Sequence, residues 1–330
     1  MNPLKVGVIG VGHLGSLHAK MYAEMPSVQL VGVVDVDRNR ADQIAHEYKT
    51  TAFPAVGDLL KNVDAVSVVT PTSTHGVIGE EAIQAGVHVF IEKPITSSTA
   101  EANRLLELSK KKGVKIQVGH IERFNSALLA LAKYRLNPIF VESHRLAQFN
   151  PRGTDVAVVL DLMIHDIDII LSLVNSPVKE IHANGVAVVS DTIDIANARI
   201  QFENGCVANV TASRISQKKM RKMRIFQRDA YISVDFSEGL AEVFRLVDHD
   251  DPSAAATMML GEIATGKLKR KIVYEQPEIK EVNALKYELE MFVEAIQKET
   301  EPVVTAEQAI RALEVANQII QAINQQKIVA

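Results

Sequence analysis

Cysteine is all but missing from this chain. Cys206 is the only one among 330 residues, so no internal disulfide can form and a reducing compartment is expected. No apolar run reaches bilayer-spanning length. The opening MNPLKVGVIG enters a β-rich run without a charged leader, a longer apolar core and a small-residue cleavage site. The expected location is therefore the cytoplasm. A basic surplus is missing as well. The net charge is -4 and the pI is near 6.2, which argues against nucleic acid as a partner, because phosphate recognition draws on a surplus of cations over the domain. Only a local basic patch is compatible with that balance. Internal repeats and low-complexity tracts are also absent.

With 47% hydrophobic residues the chain can bury more than one core, and its length suits two domains. Up to about residue 120, β-branched runs at Lys5 to Ile9, Leu30 to Val34, Ala65 to Thr70, Val87 to Ile91 and Lys115 to Val118 alternate with amphipathic segments. Those segments start near Gly12, Arg38, His75 and Ser98. Such alternation predicts an α/β Rossmann-type domain over residues 1–120, a doubly wound parallel sheet with helices on both faces. The rhythm then changes to a helix at Ser126 to Tyr134, a strand at Ile139 to Arg145, a helix at Val158 to Val174, and long strand-like runs. Turn signals such as Glu203-Asn204-Gly205 join those runs. Residues 121–330 are read as an α+β substrate-binding and oligomerisation domain on an open, mostly antiparallel sheet. Two closing helices, Leu285 to Ile296 and Ala306 to Ile323, complete it, and the C-terminal one can pack back on the first domain. Asp250 to Lys267, rich in Ala, Met, Gly and Thr without a strong period, is read as a mobile loop.

Gly10, Gly12 and Gly15 in VGVIGVGHLG have the spacing G-x-G-x-x-G between a strand and a helix. That pattern supplies a tight turn, backbone access for a pyrophosphate and close helix-to-strand packing. His13 and Leu14 belong to the same loop. Asp35 closes the run LVGVVD about twenty residues further on, where an acid binds ribose hydroxyls and repels a 2′-phosphate. NAD is expected over NADP, with Arg38 close enough to weaken the preference. A nicotinamide cofactor implies hydride transfer. Its site should lie at the carboxyl ends of the strands, where Thr70-Pro71-Thr72 with His75, and Glu92-Lys93-Pro94, follow predicted strands.

The helix Val158 to Val174 is nearly all apolar yet carries three aspartates and a histidine. Wound at about 100° per residue, it puts Asp161, His165, Asp168 and Ser172 on one stripe and leaves Asp166 outside. Two readings fit the stripe: a proton-transfer pair, or a satisfied polar pair at a domain junction. His120, Glu122 and Arg123 follow the last strand of the first domain and either line the substrate site or form a surface cluster at a helix start. The lone Cys206 reads as a small core residue. No metal site is expected, because the acids and histidine sit on one helix without a ligand triad. The basic run Arg214, Lys218, Lys219, Arg221, Lys222, Arg224 and Arg228 is read as a solvated face; the alternative is that some of its cations meet the diphosphate of a nucleotide-sugar.

GVIGVGHLG, VVTPTSTH, AIQAGVHVFIEKP and the D-x-x-x-H of LDLMIHDID together resemble the Gfo/Idh/MocA oxidoreductases, over most of the chain and best through Glu92-Lys93-Pro94. The resemblance implies that the glycine loop and the acid bind NAD(P), and that the Glu-Lys-Pro segment reaches nicotinamide and substrate. It also implies that the paired Asp and His of the second domain complete the site. Carried over, it nominates Lys93, Asp161 and His165 as catalytic, His120 and Arg123 as further substrate contacts, a cis peptide at Lys93-Pro94, and a homodimer or homotetramer formed on the open sheet. Val158, Val159 and Met163 are larger than the small residues many members carry around this Asp and His. GHIERFN and PRGTDVAVVLDLMIHDIDI resemble the branch of UDP-N-acetylglucosamine 3-dehydrogenases. The implied reaction is oxidation of a secondary alcohol of a sugar or nucleotide-sugar, with a base for the hydroxyl proton. A histidine has the right unperturbed pKa for that base, and a lysine can stabilise the developing alkoxide. His165 as base with Lys93 as electrostatic partner is one assignment, and the reverse is the other. Alternatives on the same fold are a lyase or glycosidase that recycles bound NAD, and a non-catalytic NAD or metabolite sensor.

Overall fold

The structure is a computed structural model, and it describes residues 3–150, 156–250, 258–265 and 268–326. The chain divides into two compact units, one of Met1–Ile121 with Asn283–Glu314 and one of Glu122–Val282 with Val315–Ala330. Among the described residues no helix is long and apolar enough to cross a membrane.

In the first unit β1 (Leu4–Ile9), β2 (Val28–Val34), β3 (Thr51–Ala52), β4 (Ala65–Val68), β5 (His88–Glu92) and β6 (Ile116–Gly119) form one sheet in the order β3-β2-β1-β4-β5-β6. All its pairs are parallel. This is the doubly wound order, whose direction of winding reverses between β1 and β4. The connecting helices are α1 (His13–Ala23), α2 (Arg38–Glu47), α3 (Val56–Leu60), α4 (Thr72–Gln84) and α5 (Thr99–Lys112). Ser98 caps α5 through a reciprocal capping box with Glu101, and Gly113 ends it in the left-handed region, as local chemistry favours. Strand β3 and helix α3 are too short to give a period and were not legible in the sequence. From the far end of the chain, α8 (Ala284–Gln297) joins this unit, capped by Asn283. Its Leu289, Phe292 and Val293 pack with Val6, Val8, Tyr22 and Phe90.

The second unit holds a nine-stranded sheet of β7 (Phe140–Leu146), β8 (Val178–Val186), β9 (Ile195–Phe202), β10 (Val207–Ser213), β11 (Met220–Phe226), β12 (Ala230–Asp235), β13 (Leu240–Asp248), β14 (Met258–Thr265) and β15 (Leu268–Glu275). The order is β14-β15-β13-β12-β11-β7-β10-β9-β8, antiparallel except for the β7–β10 pair. Alternation along β7 and β9 buries one face, against which a π-helical turn (Val159–Met163) and α7 (Ile164–Leu173) pack. The short α6 (Ser126–Leu129) replaces the longer helix expected to Tyr134. The last helix, α9 (Ala306–Gln326), begins in the first unit and ends in the second.

The loop expected from Asp250 to Lys267 is corrected in part, since Met258–Thr265 is an edge strand paired with β15 through a bulge between Met259 and Gly261. Met258, Met259, Leu260 and Ile263 are each 45–63% exposed, so neither face of the strand is covered and no alternation betrayed it. Residues 251–257, 266 and 267 lie outside the described residues, as do 151–155 of the PRGTD phrase.

Candidate active site

At the reversal of the first unit's sheet, the three glycines do three different things. Gly10 has φ of +85°, and a Cβ there would come 2.6 Å from the Val69 carbonyl oxygen. At Gly15 a Cβ would lie 1.8 Å from the Gly10 carbonyl oxygen, so α1 closes onto the turn only with hydrogen at that position. At Gly12, the N-cap of α1, the nearest foreign atom to a Cβ would be Arg40 Nη1 at 3.9 Å. The backbone is thus open where a pyrophosphate meets the N–H groups and dipole of a helix start. His13 and Leu14 stand exposed beside it. Asp35 Oδ2 accepts the Val11 N–H at 2.7 Å and Oδ1 accepts the Asp37 N–H at 2.9 Å. The carboxylate is thereby pinned against the loop with lone pairs left for ribose hydroxyls. A dinucleotide with a free ribose fits these residues.

Arg38, expected near the cofactor, is half exposed at the start of α2. Its guanidinium donates to the Ala52 carbonyl at 3.0 Å and pairs with Asp42 at 3.1 Å. Residues two apart on a helix diverge, and it is Arg40 that approaches the glycine loop. His75 also differs from expectation. It is 1% exposed, with Nδ1 2.9 Å from the Pro94 carbonyl oxygen and Nε2 2.8 Å from the Thr70 carbonyl oxygen. The ring lies between the Thr70-Pro71-Thr72 and Glu92-Lys93-Pro94 loops, and whichever nitrogen carries the proton donates to one of the two carbonyls, so His75 helps to position those loops.

The Lys93–Pro94 peptide is cis. Glu92 Oε1 lies 3.2 Å from Nε2 of His18, a fully buried residue on α1 whose ring meets Phe90 edge-on. Glu92 Oε2 accepts the N–H of Lys93 at 3.2 Å. A Cβ on Gly119 of β6 would come 2.8 Å from the Glu92 carboxyl carbon, so glycine there makes room for the acid. Half-buried Lys93 therefore leaves the sheet from a boxed-in neighbour. His18 escaped the sequence reading; its one signal is that it shares the buried stripe of α1 with Gly15 and Tyr22. His120 is buried at the end of β6.

In the second unit, the helix expected at Val158 to Val174 is split. Asp161 belongs to the π-helical turn and His165 to α7, both half-buried. Such π-helical turns recur at functional sites. The other acids are matched to arginines. Asp168 accepts Nε and Nη2 of Arg123 at 2.6 and 2.8 Å, a bidentate fork. Arg123, expected at the substrate, thus holds α7. Asp166 Oδ1 accepts Nη2 of buried Arg145 at 2.7 Å, while Arg145 Nη1 donates to Glu122 Oε1 at 2.7 Å. Burial alone would pull the Arg145 pKa down, but the two carboxylates hold it above the ordinary arginine value. Ser172 Oγ donates to the Ile169 carbonyl at 2.6 Å. Beside Asp161 lies a cavity of about 790 Å³, also lined by Phe149, Arg214, Lys219, Arg221 and Phe236.

A family model described as an oxidoreductase family with an NAD-binding Rossmann fold matches residues 4–120, and the GFO/IDH/MocA C-terminal domain model matches residues 119–239. The chain belongs to the Gfo/Idh/MocA oxidoreductases. It is an NAD-binding member by its first unit. Among curated proteins it is 45% identical over 242 residues to the UDP-N-acetylglucosamine 3-dehydrogenase of Acidithiobacillus ferrooxidans, covering 73% of this chain and 77% of that protein. It is 32% identical to the scyllo-inositol 2-dehydrogenase (NAD(+)) of Bacillus subtilis, over 64% and 68% of the two chains. Among solved structures, UDP-N-acetylglucosamine 3-dehydrogenase GnnA from Acidithiobacillus ferrooxidans superposes with a TM-score of 0.87 at 38% identity, over 98% of both chains.

In this Gfo/Idh/MocA chain the basic run divides by strand face. On one face of β11, Lys222 pairs with Asp235 at 3.1 Å and Arg224 with Glu142 at 2.7 Å. On the other face, Arg221 and the preceding Arg214 and Lys219 line the cavity. Cys206 is buried and its thiol is pushed up by burial to about 11, the behaviour of a core residue.

Proposed function

We propose that this chain is an NAD-dependent dehydrogenase that oxidises the 3-hydroxyl of UDP-N-acetylglucosamine, working in the cytoplasm. The observation that carries the reading is the 45% identity, across most of both chains, to a UDP-N-acetylglucosamine 3-dehydrogenase. Lys93, Asp161 and His165 support it, being the cation, carboxylate and base that alcohol oxidation calls for. Bound NAD supplies the hydride-accepting chemistry. His165 takes the hydroxyl proton, the Lys93 ammonium stabilises the oxygen as it becomes an alkoxide, and Asp161 orients a substrate hydroxyl or the imidazole. His13, Leu14, Thr70, Pro71, Thr72 and Pro94 border the cofactor, and His120 borders the substrate. The working form is a homodimer or homotetramer built on the open face of the nine-stranded sheet.

The test is NADH formation from UDP-N-acetylglucosamine, with scyllo-inositol as comparison. Turnover is expected with the UDP-sugar. His165→Ala should lower kcat roughly 100- to 10,000-fold, and Lys93→Ala by roughly 100- to 1,000-fold, with NAD affinity retained. Full turnover in both variants, or oxidation of the inositol alone, refutes the reading.

A further inference from the structure

We infer that the cavity of the second unit is a nucleoside-diphosphate subsite: Arg214, Lys219 and Arg221 take the phosphate oxygens and Phe149 covers the base. This deepens the function proposed above and rests on it for the sugar that the nucleotide carries.

Three cations face one carboxylate, Asp161, around a space of about 790 Å³, within the roughly 300–1,000 Å³ of small-molecule sites. Ion pairing inside the unit accounts for only part of their placement. Arg221 lies directly across from Arg145 in the β7–β11 register, where two like charges oppose each other unfavourably. Glu122 Oε1 is shared between them, at 2.7 Å from Arg145 and 3.5 Å from Arg221. The closer contact goes to the buried arginine, and the Arg221 side chain keeps 54% of its surface exposed. Lys219 is exposed, and among the described residues no carboxylate lies within ion-pair distance of it. The cations on the opposite face of β11, by contrast, each hold a carboxylate of their own.

Arg214 is the preorganised member. Its Nη2 donates to the Val156 carbonyl, and Asp194 stands 3.9 Å from its Nε. The carboxylate of Asp194 is itself pinned by the N–H groups of Val188, Val189 and Ser190, at 2.8, 2.8 and 3.0 Å. A guanidinium held in this way presents its donors to an anion without first being ordered. The aromatic member is Phe149, 50% exposed at the cavity, while Phe236 is 5% exposed. A large ring left half in water beside a cationic pocket is the arrangement on which a planar base stacks. A diphosphate between the cations with its base on Phe149 accounts for both features, whereas free phosphate accounts only for the cations.

Isothermal titration calorimetry of the full chain with UDP and with inorganic pyrophosphate tests this. The wild-type protein should bind both. Lys219→Ala and Arg221→Ala should each weaken both ligands about tenfold to a hundredfold. Phe149→Ala should weaken UDP about tenfold and leave pyrophosphate unchanged. Lys222→Ala, on the opposite face, should leave both unchanged. Lys219 and Phe149 are exposed, so their variants report binding free of any folding defect. No UDP binding by the wild type, or wild-type UDP affinity in Lys219→Ala and Phe149→Ala, overturns the inference. Turnover separates it from the proposed function. If UDP-N-acetylglucosamine is oxidised with an unchanged KM in Lys219→Ala and Arg221→Ala, the subsite fails and the function stands. The expected UDP binding pattern without oxidation of that sugar does the opposite.

Discussion

Asp166 shows what a residue needs before its role can be read. On the helix it is an acid off the polar stripe, and nothing within a few turns explains it; its partner is Arg145, on β7 and far away in sequence. Asp194 carries the same lesson with a measurable consequence. Burial raises its pKa, but the Ser190 hydroxyl and the N–H groups of Val188, Val189 and Ser190 outweigh burial and hold it well below the usual carboxylate range. With the folded value below the unfolded one, ionised Asp194 adds stability that is present above about pH 4 and is lost as the pH falls toward the folded value. Asp194→Asn should therefore cost about 1.5–3 kcal/mol at neutral pH. The gap from wild type should close as acid is added. Urea midpoints measured from neutral pH down to pH 3 check this, and a gap that stays constant with pH contradicts it.

At the scale of elements, strand–turn–helix β1-α1 was the most legible part of the chain, because its requirements are local. Gly10, Gly12 and Gly15 are spaced by backbone geometry alone, and each proves to have a distinct steric reason. A Cβ at residue 15 has nowhere to go but into the Gly10 carbonyl. Gly15→Ala should thus destabilise the protein by about 1–3 kcal/mol and weaken NAD more than about tenfold by moving the helix start from the pyrophosphate. Thermal melts and NAD titration read the two effects, and NAD affinity equal to wild type would sink the assignment. Elements whose form depends on neighbours were not legible. The π-helical turn at Val159–Met163 has the same apolar periodicity as an α-helix. The edge strand β14 has no covered face to impose alternation.

At the scale of the molecule, the open face of the nine-stranded sheet carries a row of half-buried rings: Phe140, Phe226, Tyr231, Phe244 and Tyr274. Successive centroids are 5.8, 5.0, 5.5 and 5.0 Å apart, and each pair is directly in register across neighbouring strands. Such pairs add about 0.5–1.5 kcal/mol each beyond area burial. They also leave an apolar band that a second copy of the chain can cover. Sedimentation velocity should show an assembly of two or four chains, and Phe244→Glu, which puts a charge in the middle of the band, should shift it to monomer. A wild-type monomer would remove the proposed oligomer. By itself the sequence determined the Rossmann half, the glycine loop with its acid, the family, and the residue types available for chemistry. These follow from short-range backbone sterics and period, which a few neighbouring residues settle. Only the tertiary structure decided which cations of the basic run line a cavity and which pair on the opposite face, that His75 lies between two loops and Arg123 holds a helix, and that Arg40 comes near the glycine loop. Those outcomes depend on strand register and on which face of an element is covered, and both are set by residues distant along the chain.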